Sequence, residues 1–431
     1  MAKIQGSCRW LALFASAGLV LEVAADVVLS GETEYAVGQG ETQTVSERIT
    51  GAGLVRKTGA GTLVLANGGN DFTGGVTVEA GMVEATTAGA LGSGDLTVAA
   101  ASAGVTFRSA SEIANALAFT GEKDVDYGYK VGNADGNVNA LFCTDVRLTG
   151  DLTATRSFRL RQNPVSTANP TKGGPDTVFD GRIVAGEKGV FLNIFGTMTL
   201  NGPVMAGCLS GGDSWAGGGA LTLMSSKNQI GELDICHNTV SCGAANVLGG
   251  ATVVWRLAGG DLYAGLAHLN LNGFDQAVAG LSQYEGFASA TWNAVWQGTS
   301  VVGARVGQGG TTYCVTSKTA ATLTITGGAE SLTTYAPIAG AVTLVLDAAD
   351  YPSFVQAFAR HASAFTGATV VRAGTLKFID TAQFSGTTSL TVAAGGAIDA
   401  LEATSSPFPN VLDAITLTAG ASLRLSPGMV L

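Results

Sequence analysis

The chain is poor in ionisable side chains. Asp, Glu, Lys and Arg supply only 13% of its 431 residues, and there are only 3 histidines. This share is about half of the usual fraction, so few groups are available for acid-base chemistry. The formal net charge is −10. Because an acidic chain is repelled by phosphate backbones and anionic lipid, we expect no nucleic-acid partner and no docking on anionic membranes.

Proline and cysteine are also scarce. The 9 prolines beside 61 glycines keep the composition below that of a disordered low-complexity chain, and a hydrophobic share of 46% indicates a folded protein. One of the 6 cysteines, Cys8, precedes an apolar run and does not have the placement of a lipid-modified residue. An odd number remains, which predicts at least one thiol that is free or paired between chains. The remaining cysteines are Cys143, Cys208, Cys236, Cys242 and Cys314. The spacing of the pair at 236 and 242 would allow a bridge across a turn.

The one long apolar run lies near the N-terminus. WLALFASAGLVL, residues 10–21, is too short to span a bilayer comfortably. Lys3 and Arg9 precede it, and Val23-Ala24-Ala25 follows it with the small-residue spacing of a signal-peptidase site. We therefore expect residues 1–25 to be a signal peptide. The mature chain would begin at Asp26, would be exported and would contain no transmembrane segment.

Short Gly-flanked strands fill much of the remaining sequence. Residues 61–65, 76–79 and 81–85 alternate in polarity over four or five positions and end at Gly or Asn, which is typical of strands with one apolar row. Gly59, Gly61, Gly74, Gly75 and Gly81 are predicted to form corners, where a side chain would be costly. Such corners would close each set of strands into a coil.

The pattern recurs along the chain. FTGGVTVEAG at residues 72–81 agrees with FTGATVVRAG at residues 365–374 at six of ten positions. The shared phase predicts that Leu376 and Phe378 point inward as Val83 and Ala85 do. We identify copies near 53–107, 219–276 and 341–400, of which the middle one is the most divergent. A stack of similar turns is expected.

LVRKTGAGTLVL, GNDFTGGVTVEAGMV, NLNGFDQAVAGL and FTGATVVRAGTL resemble the autotransporter-associated β-strand repeat of bacterial surface passengers. The match is nearly gapless at residues 53–83 and partial in the later copies. The resemblance implies an all-β, elongated, right-handed parallel β-helix (β-solenoid) spanning residues 26–431, with irregular loop insertions. It also implies a secreted or surface-displayed protein that is commonly linked to adhesion, and it carries no catalytic site.

Three further expectations concern the architecture. The family resemblance implies a C-terminal membrane barrel, but the chain ends SLRLSPGMVL; the barrel could lie on a separate chain, export could follow another route, or the sequence could be a fragment. Residues 121–180 are interpreted as loops leaving the solenoid, and Pro352–Ala362 as a short helix. Turns of about 20–25 residues predict on the order of 16 to 20 turns in the mature chain.

Candidate chemistry is sparse. Asp213-Ser214 could hold a serine nucleophile if His237, His268 or His361 served as its base. We interpret the segment instead as a flexible turn.

Metal ligands are equally incomplete. Cys236, His237 and Cys242 offer three ligands to a metal, one fewer than tetrahedral zinc requires. The cluster at residues 133–137, with Asp124 and Asp126, could offer oxygens to calcium, but it lacks the terminal Glu of a helix-loop-helix calcium site. GGND at residues 68–71 lacks the repeated Gly-x-Asp of calcium-binding β-rolls. We therefore predict no catalytic, cofactor-binding or metal residues and no cofactor.

Two alternatives stay open. A polysaccharide lyase or hydrolase would require carboxylates on neighbouring turns, and the densest polar group comprises Arg156, Arg159, Arg161, Asp176, Asp180 and Arg182. A carbohydrate-binding surface protein could use Trp215, Trp255, Trp292 and Trp296 as stacking platforms, although burial in the coil explains them equally well.

The leading hypothesis is a non-catalytic repeat protein that acts as a structural or adhesive rod. It would be exported and then lie at the bacterial cell surface, associated with the outer membrane, or outside the cell. Glycans or other surface proteins are its candidate partners.

Overall fold

The structure is a computed structural model that describes residues 25–109, 112–124, 138–163, 173–211, 219–235, 238–255, 267–283, 294–297, 300–303, 313–359, 362–409 and 412–429. Throughout these ranges the protein is all-β and contains no helix. Its strands form a parallel β-solenoid of about 15 turns. With turns stacked at about 4.8 Å, the rod is on the order of 70 Å long.

The strands are short in the first half of the molecule. They are β1 (Val27–Leu29), β2 (Thr33–Ala36), β3 (Thr42–Val45), β4 (Ile49–Gly51), β5 (Val55–Thr58), β6 (Thr62–Leu65), β7 (Val76–Val78), β8 (Gly81–Ala85), β9 (Leu96–Val98), β10 (Ala103–Phe107), β11 (Glu112–Ile113), β12 (Leu117–Phe119), β13 (Ala140–Phe142), β14 (Val146–Leu148), β15 (Leu152–Ala154), β16 (Phe158–Gln162), β17 (Thr177–Phe179), β18 (Ile183–Val184), β19 (Gly189–Asn193), β20 (Thr197–Leu200) and β21 (Val204–Ser210).

Several strands are longer in the second half. They are β22 (Ala220–Leu223), β23 (Gln229–Ile235), β24 (Thr239–Cys242), β25 (Thr252–Trp255), β26 (Ala267–Asn270), β27 (Gln276–Val278), β28 (Gly280–Gln283), β29 (Ala294–Gln297), β30 (Ser300–Gly303), β31 (Tyr313–Ile325), β32 (Leu332–Thr334), β33 (Ile338–Asp347), β34 (Val355–Ala359), β35 (Ala362–Phe365), β36 (Thr369–Asp380), β37 (Gln383–Phe384), β38 (Ser389–Val392), β39 (Gly396–Ala403), β40 (Ala414–Leu417) and β41 (Ser422–Leu425).

The strands pair in register from one turn to the next. Every pairing between described strands is parallel except that of β29 with β30. Val55 lies beside Val76, Val76 beside Leu96, and Leu96 beside Leu117. All of these side chains are buried, so equivalent apolar residues stack in one column and each turn buries its row against its neighbours.

The predicted phase of the repeats is confirmed. Val83, Ala85, Leu376 and Phe378 are fully buried, whereas their outward neighbours, such as Lys377, are partly exposed. The predicted corners are also confirmed. Gly59 has φ +74°, and a Cβ on Gly61 would lie 2.2 Å from the backbone oxygen of Gly38. Any side chain at either corner would strain the turn.

Aromatic rings fill parts of the interior. Phe119 stacks on Phe158 with ring centroids 4.5 Å apart. Near the other end, Phe384 meets Phe378 edge-on at 4.8 Å and contacts two further phenylalanines at 5.0 Å. Both regions therefore depend on the same inward apolar packing.

Buried amide side chains tie consecutive turns together. Asn70 accepts a hydrogen bond from the Ile49 backbone N–H at 2.8 Å and donates to the Ala90 carbonyl at 2.7 Å. Asn228 does the same between Val204 and Val247. Each amide spans three turns and satisfies backbone groups that the corners leave unpaired.

Two predictions about local structure are wrong. The described residues of the segment Pro352–Ala362, which are 352–359 and 362, are not helical: a turn leads into β34, whose Gln356 and Phe358 point inward. The apolar residues at 354 and 358 are four apart, a spacing that fits both a helix face and a strand row. Residues 138–163 and 173–180 are not loops but contain β13 to β17, which pair within the solenoid.

The number of turns also falls below the predicted range. Successive partners are about 20 residues apart in the first turns, yet Leu117 pairs with Leu152 and Leu152 with Ile183. These longer turns contain segments 125–137 and 164–172, which lie outside the described residues. The predicted signal peptide lies outside them too, apart from its last residue, and stays a prediction.

Candidate functional site

A groove follows the outer wall of the second half of the solenoid. It has a volume of about 550 Å³ and crosses strands β32, β34, β36, β39 and β41. Alternation along these strands buries Leu376 and Ile398 and turns Thr375, Lys377 and Asp399 outward. The groove is lined by Ser331, Leu332, Thr333, Val355, Ala357, Thr375, Lys377, Ile379, Ala397, Ile398, Asp399, Ser422 and Arg424.

Three charged residues form a row along this groove. Lys377 pairs in register with Asp399, and Asp399 pairs with Arg424 on the next turn. Lys377 Nζ lies 2.6 Å from Glu402 Oε1, whereas Asp399 Oδ1 accepts only a local bond from the Leu401 N–H at 3.1 Å. Within the described residues, Arg424 makes no side-chain hydrogen bond or ion pair. The row therefore presents a carboxylate and a guanidinium that are available to a ligand.

Several charged residues elsewhere on the wall form ion pairs with charged residues of a neighbouring turn. Arg56 donates two hydrogen bonds of 2.8 Å to the two carboxylate oxygens of Glu79. Arg182 donates two hydrogen bonds, of 3.0 and 2.5 Å, to the Oδ2 atom of Asp151. Such paired charges fasten neighbouring turns and leave little hydrogen-bonding capacity for a ligand.

These contacts shift the acidities of the carboxyl groups. The hydrogen bond from Arg56 lowers the pKa of Glu79, and that from Arg182 lowers the pKa of Asp151. The pKa of Asp180 is lowered first by a hydrogen bond from Asn201 and then by Arg147. Each group is held in its charged form.

A second cluster lies on β21 and β23. One ligand atom each from Cys208, Glu232 and Asp234 falls within 4.8 Å of the others. Cys208 pairs in register with Glu232, and Asp234 is almost fully buried. A thiol with two carboxylates could contribute three ligands to a borderline-soft divalent cation such as zinc. The residues are 24 and 26 positions apart, so only the register of the turns could have revealed this grouping.

The segment that we interpreted as a flexible turn rather than a nucleophile, with Asp213 and Ser214, lies outside the described residues. Two of the three histidines considered with it, His237 and His361, lie outside them too. His268 is described and lies buried on β26, where desolvation lowers its pKa to about 4. Its imidazole is therefore neutral near neutral pH.

Of the residues considered and rejected as metal ligands, only some are described. Cys236, His237, Asp126 and residues 133–137 are not described. Cys242 faces the core, where burial raises the pKa of its thiol to about 12. Asp124 instead accepts a hydrogen bond from the Ser157 N–H at 2.7 Å and pairs with Lys188 at 3.1 Å. Asp71 pairs with Arg48.

The six polar residues considered for polysaccharide chemistry are separated by the fold. Arg156 is buried and donates to the Thr120 and Ala100 carbonyls, whereas Arg159 and Arg161 point outward from β16. Asp180 pairs with Arg147 at 2.5 Å, and Asp176 accepts from the Thr197 hydroxyl at 2.6 Å. Both carboxylates of this group therefore accept hydrogen bonds from neighbouring turns.

Of the four tryptophans considered as sugar-stacking platforms, the one whose side chain is described does not face solvent. Trp255 is fully buried in the core. Trp215 and Trp292 lie outside the described residues, and Trp296 lies on β29, where no side chain is described.

A scan against protein families returned the passenger-associated-transport-repeat, matched at residues 55–85 and 360–378. The chain carries repeats of the autotransporter-passenger type. These matches coincide with the first and third copies, whereas the middle copy at 219–276 stays a prediction. Neither the curated proteins nor the solved structures gave a significant match.

The first passenger repeat contains a buried lysine. Lys57 lies at an inward position of β5, and its Nζ donates to the carbonyls of Thr58, Gly59 and Ala80 at 2.8, 2.6 and 3.0 Å. Desolvation lowers the pKa of this amine. The ammonium caps the corner carbonyls of two turns, so the lysine of the VRKTG phrase has a structural role.

Within the part of the chain that the structure describes, no helix is long and apolar enough to cross a bilayer.

Proposed function

We propose that this protein is an exported, non-catalytic passenger-like rod that acts as a structural or adhesive element at the bacterial cell surface. The observation that carries the proposal is that passenger-type repeats belong to one parallel solenoid. A rod of stacked turns presents an extended outer wall, which suits attachment or spacing. The leader-like segment at residues 1–25 supports export.

The arrangement of charge supports a non-catalytic role. On the wall that contains Asp151 and Asp180, the carboxylates form ion pairs with arginines of neighbouring turns. Hydrolysis or elimination requires a carboxylate or base free to move a proton. Asp151 and Asp180 do not meet this requirement, so for the polar group on this wall we favour a binding or structural role over that of a polysaccharide lyase or hydrolase.

A carbohydrate-binding role is the second candidate, and the groove around Lys377, Asp399 and Arg424 favours it. Candidate partners on this view are glycans or other surface proteins. Nucleic acid remains disfavoured because the net charge of the chain is −10.

Surface display can be tested on intact bacterial cells that express the full chain. We expect external protease to cleave the protein without lysis, and mass spectrometry to find a mature N-terminus at Asp26. Cleavage only after lysis, or retention of residues 1–25, would contradict export. Time-dependent release of reducing ends from polysaccharides by the purified chain would contradict the non-catalytic role.

A further inference from the structure

We propose that the groove around Lys377, Asp399 and Arg424 binds an extended, uncharged, hydroxyl-rich glycan. The inference rests on the proposed surface function and names the ligand class of the groove. Its starting point is the contrast between two kinds of charged pair. Arg182 and Asp151 close onto each other across turns, but Asp399 and Arg424, although in register, form no ion pair.

The floor of the groove determines how a ligand can be held. It is the outer face of a parallel sheet, in which β34 pairs with β36, β36 with β39 and β39 with β41. On β34, β36 and β39, which have a partner on each side, the backbone donors and acceptors are committed to the ladder. An extended peptide cannot be added across this floor as a further strand, because that mode requires a free sheet edge, and among the strands of the floor described here the one at the end of the ladder next to Arg424 is β41. Recognition must come from side chains.

Those side chains are small and mixed in character. Ser331, Thr333, Thr375 and Ser422 supply hydroxyl groups, and Ala357 and Ala397 supply methyl groups between them. Hydroxyls both donate and accept hydrogen bonds. A sugar presents the same combination of hydroxyl groups and apolar C–H surface, so it can contact this floor closely over its whole length.

Charge in and beside the groove is nearly balanced. Lys377 and Arg424 contribute two positive charges and Asp399 one negative charge to the lining, and Glu402, which pairs with Lys377 beside the groove, adds a second negative charge. The whole chain carries a net charge of −10, so an acidic ligand meets long-range repulsion. An uncharged ligand encounters no long-range repulsion. Its hydroxyls can donate to the Asp399 carboxylate and accept from the Arg424 guanidinium, and both contacts are charge-assisted.

The geometry indicates a linear ligand. The groove crosses five strands, so at about 4.8 Å per turn it extends roughly 19 Å along the rod. This length fits a short oligosaccharide lying parallel to the solenoid axis. Because no aromatic side chain lines the groove, the hydrogen bonds of Asp399 and Arg424 should dominate the affinity.

The test is isothermal titration of the purified full chain with neutral linear hexasaccharides of the gluco, manno and galacto series. Uronic-acid hexasaccharides and a hydrophilic peptide of similar length serve as competing ligand classes. We expect at least one neutral hexasaccharide to bind more tightly than the uronic acids and the peptide. Arg424→Ala and Asp399→Asn should each weaken that binding about tenfold or more, the loss typical of one charged hydrogen bond.

Arg182→Ala is the matched control, because it removes an arginine from the wall but not from the groove. It should leave the affinity unchanged, and thermal melts should show that all three variants fold. Failure of every neutral hexasaccharide to bind, tighter binding of the acidic ligands or the peptide, or equal binding by the groove variants would overturn the inference. Surface display is measured separately on cells, so loss of glycan binding and loss of the proposed function are distinguishable.

Discussion

The outer wall of residues 48–188 and the outer wall of residues 331–424 rest on the same kind of parallel ladder, and both contain ion pairs between turns, such as that of Arg372 with Asp347 in the second wall. The two walls differ in the row formed by Lys377, Asp399 and Arg424, where only Lys377 has an ion-pair partner. In the first, Arg56, Arg147 and Arg182 each close onto a carboxylate one turn away. In the second, Asp399 and Arg424 stay apart above a floor of small residues. The difference shows that one repeat architecture can fasten turns together in one region and leave groups available for ligands in another.

The largest effect should come from the core that both regions share. Phe384→Ala removes a ring that contacts four other phenylalanines, and Phe158→Ala removes one that stacks on Phe119. Each should lower the free energy of unfolding by about 3–5 kcal/mol, because a cavity replaces buried aromatic surface. Urea denaturation measures the loss, and Phe→Leu at the same positions should recover part of it. A small loss in one region only would show that the two cores differ.

The next effect concerns the buried ammonium of the first region. Lys57→Met keeps the apolar stem but leaves three corner carbonyls without their donor. We expect a loss of about 1–3 kcal/mol, the cost of unsatisfied buried polar groups. Lys227→Met, at an exposed lysine, is the control and should be neutral in the same denaturation experiment. Equal effects of the two substitutions would argue against a structural role for Lys57.

Low pH should lower the stability of the wall of residues 48–188, where arginines form ion pairs with carboxylates. The pKa of Glu79, Asp151 and Asp180 is lowered in the folded protein. Their stabilisation is therefore complete above the unfolded pKa of about 4 and is lost as the pH falls through the folded values. Hydrogen exchange, compared at about pH 5 and about pH 3 after correction for intrinsic rates, should show faster opening around these residues.

Neutral variants provide the control for the acid experiment. The combined variant Glu79→Gln, Asp151→Asn and Asp180→Asn should lose that part of the acid response. An undiminished response would assign it to other groups.

The smallest expected effect is the difference in stability between an arginine variant of the first wall and one of the second. Arg182→Met breaks a closed but exposed ion pair and should lower the stability only slightly, because solvent screens the two charges. Arg424→Met breaks none in the described wall and should change stability by less than about 0.5 kcal/mol. Thermal denaturation of both variants at low salt gives the comparison. A larger loss for Arg424 than for Arg182 would contradict the view that Arg424 is free for a ligand.

Much of the fold could be predicted from the sequence because its cause is local. Alternating residues such as Val83 and Ala85, between corners such as Gly81, determine which way each side chain points. Spacing alone failed at Phe354 and Phe358, which satisfy two periodicities at once. It also failed for residues 138–163 and 173–180, where short strands are separated by polar stretches that look like loops.

The groove could not be predicted in the same way. Lys377, Asp399 and Arg424 are more than twenty positions apart in sequence and become neighbours only through the register of successive turns. That register depends on the length of every intervening corner. The same reason hid the grouping of Cys208, Glu232 and Asp234. Sequence patterns identify which residues face outward, but not which of them become neighbours across turns.

Pairing between nearest turns alone has a consequence for how the chain can reach its final shape. Val55 pairs with Thr33 and Val76, and Val76 pairs with Val55 and Leu96, so these strands depend only on the turns next to them. Short-range closure keeps the entropic cost of each step low. The rod can therefore grow turn by turn from any segment that has already formed, and each completed turn is a template for the next.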